Sequence, residues 1–162
     1  MFEMRPTDRS DKALLYRELY EAVDAITDGE TDQIANMANT AALIWGFVPD
    51  LNWAGFYRLA GEELVLGPFQ GSAACIRIPM GRGVCGMAAL QQRSVLVPDV
   101  HAFEGHIACD ANSRSELVVP IVSNRDTVAV LDCDSPLLGR FDKDDQAGLE
   151  RIASLLAARL AR

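Results

Sequence analysis

Long apolar runs are missing from this chain, and nothing approaches the roughly 20 consecutive apolar residues that a membrane-spanning helix requires. The first ten residues carry Glu3, Arg5, Asp8 and Arg9, so no apolar signal core opens the sequence. A soluble cytoplasmic protein is the expectation. Basic charge is scarce too: 15 Lys and Arg face 23 Asp and Glu, a formal net charge of −8. No basic patch interleaved with aromatics occurs, so nucleic acid is not an expected partner. Cysteine is limited to four residues, too few for a disulfide scaffold and better suited to thiols that are reduced, metal-bound or catalytic. Several common motifs are absent. Cys75, Cys85, His101, His106 and Cys109 offer zinc donors, but no close cysteine pair anchors them, and no metal is expected. No G-x-S-x-G elbow supports a serine hydrolase. Gly81-Arg82-Gly83 with Gly86 lacks the Lys-Ser/Thr ending of a phosphate loop.

What is present fits one domain over residues 1–162, because a chain of 162 residues at 49% hydrophobic composition can bury about two-thirds of its unfolded surface. From Ser10 to Ile26, Leu14, Leu15, Leu19, Ala22, Val23 and Ile26 recur at helical spacing, with Asp8 or Ser10 as N-cap. After Asp28-Gly29, Thr31 caps a second expected helix carrying Ile34, Met37, Ala38, Ala41, Ala42, Ile44 and Trp45, ending before Pro49. Trp53 to Leu59 and Glu63 to Leu66 read as a hairpin about Ala60-Gly61, and Ala73 to Ile78 as a third strand. Glycines 81, 83 and 86 lead into a short helix from Val84 to Gln92, and Ser94 to Val97 is a brief strand. Pro98 to Arg114 has no periodicity and is expected to be a functional loop. Leu117 to Val122 and Thr127 to Asp132 form a second hairpin about Ser123-Asn124-Arg125-Asp126. A last helix starts near Asp142, with Leu149, Ile152, Leu155, Leu156 and Leu160 on one stripe. This is the order of an α+β domain, with two N-terminal helices and a C-terminal helix packed on a central antiparallel sheet of about five to six strands.

The chemistry concentrates around the cysteines. Cys109 lies in the polar loop run His106-Ile107-Ala108-Cys109-Asp110, where a packing residue would be out of place. Cys85 follows Gly83 at a helix start, where backbone N–H groups and the helix dipole lower a thiol pKa, which on physics alone makes it an attractive nucleophile. Cys75 alternates with Arg77 in an expected strand and is open to either a core or a functional role. Cys133, between Asp132 and Asp134, points to the opposite sheet face from both and is read as structural. By the same alternation, Asp132 and Asp134 share a face, and Glu116 lies on the strand expected to pair with theirs. Three acids lining one pocket would recognise an ammonium group, and crowding would raise at least one pKa enough to make it a proton donor.

The runs NWAGFY, GPFQG, ACIRIP, GRGVCG, DVHAFEGHIACDA, SRSELVVP and LDCDSP together resemble the free methionine-(R)-sulfoxide reductase family of single-domain GAF proteins. The resemblance spans Asn52 to Pro136; its most specific parts are the HIACDA loop and the spacing of Cys75, Cys85 and Cys109. Cys133 departs from the pattern, which would have an aliphatic residue there. The resemblance implies that Cys109 attacks the sulfoxide sulfur of free methionine sulfoxide and becomes a sulfenic acid. Cys75 or Cys85 then closes a disulfide, which thioredoxin reduces, with no bound cofactor. It further implies that Trp53, Glu116, Asp132 and Asp134 bind substrate. Glu116 or Asp134, protonated, would polarise the sulfoxide, and Asp132 would hold the ammonium. A homodimer is expected from the habits of GAF domains. The competing reading is a non-catalytic GAF sensor that binds a small ligand or responds to oxidation, since fold alone does not fix function.

Overall fold

The computed structural model describes residues 4–105, 107 and 111–160. Helices α1 (Lys12–Thr27) and α2 (Gln33–Phe47) precede the strands β1 (Trp53–Ala60), β2 (Glu63–Gly71) and β3 (Arg77–Pro79). Helix α3 (Gly83–Gln91) and strand β4 (Val95–Val97) follow, then β5 (Ser115–Ser123), β6 (Asp126–Ser135) and α4 (Lys143–Leu160). The strands form a six-stranded sheet in the order β3-β2-β1-β6-β5-β4, with every neighbouring pair antiparallel. Among the described residues no helix is long and apolar enough to cross a membrane.

The helices start on aspartates next to the expected caps. Asp11 accepts from the Leu14 N–H and Asp32 from the Ala35 N–H, satisfying amide groups that a helix start leaves without partners. Asp8 accepts instead from Ser10. In α2, Met37, Ala41 and Ile44 are buried, whereas Ile34 and Trp45 are 44% and 40% exposed. The helix is apolar nearly all round, so its periodicity could not choose the face.

Strand alternation divides the interior. Ala54, Phe56, Leu117, Val119, Ile121, Ala129, Leu131 and Cys133 pack against α1, α2 and α4. On the other face Trp53, Tyr57, Val118 and Val130 pack against Val84, Cys85, Ala88 and Ala89 of α3. Cys133 is fully buried on the three-helix side, opposite Asp132, as the period of two requires.

Hairpin turns set the registers. Ser123 pairs with Asp126, and both intervening residues, Asn124 and Arg125, have positive φ (52° and 73°), the backbone of a tight primed turn. β2 runs beyond Leu66 through Gly67-Pro68. These residues fall where the β1–β2 register shifts, between Gly55 and Tyr57, so the missing proline N–H is absorbed at a bulge. The third strand is shorter than expected, Arg77–Pro79; Cys75 lies ahead of it in irregular chain, half-buried.

Candidate active site

The β1–β6–β5 registers bring the expected site residues together. Trp53 and Glu116 both pair with Asp134, while Gly55 and Val118 pair with Asp132. Trp53, Glu116, Asp132 and Asp134 therefore share the sheet face covered by α3. Glu116 is 6% and Asp132 5% exposed; Asp134 is half-buried. Cys85 reaches this group from α3, its thiol donating to Asp132 Oδ2 at 3.3 Å. Cys85 Sγ and one carboxylate oxygen each from Glu116 and Asp132 lie within 4.8 Å of one another. Asp132 Oδ1 is buried and has no hydrogen-bond partner among the described residues.

Burying an acid without a cation favours its neutral form. The Asp132 carboxyl is pushed up to about 7 by loss of solvent, against which the Cys85 hydrogen bond pulls down. Glu116 is pushed well above the usual carboxylate range, first by burial and then by the charges of Asp132 and Asp134. The site thus joins Glu116, raised well above the usual carboxylate range, to Asp132, which titrates near neutrality. Cys85 is raised as well, chiefly by burial and then by Asp132. It does begin a helix, as the sequence suggests, but the dipole acts against complete burial and adjacent acids, and the thiol stays protonated.

An aromatic wall faces the acids. Trp53 is buried, donates Nε1–H to the Ser72 carbonyl at 3.2 Å, and stacks on Tyr57 at 5.8 Å and on Phe69 at 5.3 Å between centroids. Gly55 makes room for this wall, since a Cβ there would overlap Phe69. Sequence reasoning missed Tyr57 and Phe69. Tyr57 shares the parity of Trp53 along β1 and could have been found from it, whereas Phe69 was hidden by ending β2 before Gly67-Pro68.

Cys109, His106 and Asp110 lie outside the described residues. Ile107, two residues before Cys109, packs against the α3 side of the core. A Cβ on Gly83 would come within 3.2–3.4 Å of the Ile107 side chain, and Gly83 has φ +60°, a conformation favouring glycine. The glycine at the start of α3 therefore leaves the space that the Ile107 side chain fills. Cys75 is disulfide-bonded, while Cys85 and Cys133 are free, so neither is its partner. Of the zinc donors raised by the sequence, Cys75 is thus engaged with sulfur, Cys85 is buried on Asp132, and His101 is exposed on the short 3-10 turn Val100–Ala102.

The six-stranded antiparallel sheet with helices on both faces defines an α+β domain of the GAF class, and the GAF domain model matches residues 10–160. The chain is 48% identical over 151 residues to the free methionine-R-sulfoxide reductase of Escherichia coli, covering 93% of this chain and 92% of that protein. It is 42% identical to the Saccharomyces cerevisiae reductase of the same name, covering 90% and 86%. The free methionine-R-sulfoxide reductase of Neisseria meningitidis, solved in complex with its substrate, superposes with a TM-score of 0.94 at 45% identity, covering 99% of this chain and 96% of that one. This chain belongs to the free methionine-R-sulfoxide reductase family of GAF-domain proteins.

Proposed function

We propose that the protein reduces free methionine (R)-sulfoxide to methionine, with Cys109 as the attacking thiol and Cys75 as the resolving one. The observation that carries the site chemistry is the buried pair Glu116 and Asp132, in which Asp132 Oδ1 has no hydrogen-bond partner among the described residues. An ammonium group from a free amino acid supplies a cation to Asp132; a methionine within a polypeptide chain has no such group. Asp132 holds the ammonium and Asp134 lines the same site. The stacked Trp53 packs on the S-methyl end, as aromatic faces do with apolar and cationic groups.

Burial and its acidic neighbours make Glu116 hold a proton more tightly than an ordinary carboxyl, which suits it to donate to the sulfoxide oxygen as the Cys109 thiolate attacks sulfur. The oxygen then passes from the substrate sulfur to the Cys109 sulfur: the substrate sulfur–oxygen bond and the bond between the two sulfurs break, methionine leaves with its sulfur reduced, and Cys109 is left as a sulfenic acid carrying the donated proton. The Cys75 thiol then displaces that oxygen as water, forming a disulfide. The reading of Cys75 rather than Cys85 as the resolving thiol draws support from their states: Cys75 is in a disulfide and Cys85 is free. An external dithiol protein, thioredoxin in a reducing cytoplasm, returns the disulfide to two thiols. No bound cofactor enters these steps. A homodimer belongs to the same reading, with the exposed Ile34 and Trp45 of α2 as apolar surface for it.

The test follows NADPH oxidation with thioredoxin and its reductase, with the R and S epimers of free methionine sulfoxide supplied separately. Turnover with the R epimer alone, lost in Cys109→Ser, is the expected result. Ligand binding without turnover in fully reduced protein would replace the reductase with a sensor.

A further inference from the structure

Cys85 is left without a task by the reaction above, and its surroundings supply one. The thiol sits among Val84, Ala88, Val118 and Val130 in the α3-side core, 4% exposed, yet makes one polar contact, to Asp132 Oδ2 at 3.3 Å. We propose that Cys85 is a positioning residue, whose thiol clamps Asp132 Oδ2 and leaves Oδ1 as the oxygen that receives the substrate ammonium. The inference rests on the substrate-binding role of Asp132 proposed above.

Three features argue for it. First, the clamp has the right polarity. A protonated thiol can only donate to a carboxylate, and a donor stabilises the ionised form, the form that binds a cation. Second, burial holds the proton on sulfur, so the group remains a donor throughout the working range instead of becoming a competing anion. Third, among the described residues it is the donor on that oxygen: the other titratable groups around Asp132 are Glu116 on β5, Tyr57 on β1 and Asp134 on its own strand. Neither acid is a cation that could hold the charge, and Tyr57 is a buried phenol raised above its usual range by loss of solvent and by Asp132. Among the described residues, no ion pair reaches Asp132. A cysteine suits this place because its sulfur packs with the aliphatic floor while its weak S–H offers a single donor.

Removing the donor should weaken ammonium binding more than chemistry. Cys85→Ala should raise KM about tenfold, the effect of one hydrogen bond to a charged group, with kcat much less affected. The acid limb of kcat/KM, which reports the free enzyme, should move to higher pH. Cys85→Ser, a stronger donor of similar size, should restore KM and bring the acid limb back to or below its original position. The S–H infrared band lost in both variants should shift in Asp132→Asn, a readout independent of turnover. Wild-type KM and an unmoved acid limb in Cys85→Ala, alongside an active wild type, would overturn the inference while leaving the reductase standing. A single burst of methionine with accumulating Cys109 sulfenic acid in Cys85→Ala would overturn it in favour of a resolving role. An inactive wild type would remove the substrate reading and the inference with it.

Discussion

Asp145 and Asp132 are both nearly inaccessible, 1% and 5% exposed, but the protein treats them in opposite ways. Asp145, in the first turn of α4, accepts from Tyr16 Oη at 2.9 Å, Lys12 Nζ at 2.7 Å, Arg140 at 3.2 Å and the Asp142 N–H at 2.9 Å. Its two cations tie α1 and the segment before α4 to one carboxylate. Asp132, beneath α3, accepts from one thiol and, among the described residues, has an oxygen without a partner. A buried charge supplied with its counterions serves the fold; one whose counterion must come from outside is a binding site. The contrast also accounts for Glu116, beside Asp132, whose carboxyl is raised first by burial and then by the charges of Asp132 and Asp134.

The largest effect expected from this contrast is chemical. Glu116→Gln should lower kcat by about 10²–10⁴-fold, the range for a positioned acid, while thermal unfolding shows no loss of stability, because a crowded carboxyl has been replaced by a neutral isostere. Next comes the structural acid. Asp145→Ala strands Lys12 and Arg140 and should cost about 3–5 kcal/mol in urea unfolding, with kcat/KM per folded molecule unchanged. If it abolished activity in folded protein, the division between the two regions would fail.

Asp132→Asn should do the reverse, raising KM by about 10–100-fold, the loss of a charge-assisted contact, and stabilising the protein at pH 8. The sign follows from linkage. Folded Asp132 holds its proton up to about pH 7, whereas the unfolded chain releases it near the ordinary value of about 3.9. The stability it contributes is therefore fully present below that value and is lost as pH rises through 7. Asp142, beside Lys12 in the other region, is lowered to about 2, mainly by the Lys12 hydrogen bond. Its contribution is present above the ordinary aspartate value and lost as pH falls through 2. Denaturant midpoints across pH should thus fall at both ends, and Asp132→Asn should flatten the neutral side alone. The smallest effect is expected at Gly83→Ala, where a left-handed backbone costs about 1–2 kcal/mol and the methyl presses on Ile107; turnover should fall several-fold as Ile107, two residues before Cys109 in sequence, is pushed from its place.

Much of this architecture was legible because local rules and tertiary structure agree. Strand parity alone assigned Asp132 and Asp134 to one face and Cys133 to the other, and the registers bear this out. Both hairpins lie where their turn residues indicate. Errors arose where context overrides local signal. The apolar surface of α2 carried no directional information, and Gly67-Pro68 marked a strand end only until a bulge gave the proline a place without a ladder bond.

By itself the sequence determined the α+β order, the alternation that gathers Glu116, Asp132 and Asp134, and the motifs that resemble the reductase family. These depend on neighbours along the chain, whose spacing and turn chemistry are written in the residues. Only the tertiary structure decided how deeply Glu116 and Asp132 are buried, that Cys85 is a protonated donor, and that Gly83 seats Ile107. Charge, burial and proton affinity at those positions are properties of what packs across the sheet: a helix start predicts an activated thiol until it is buried against two carboxyl groups.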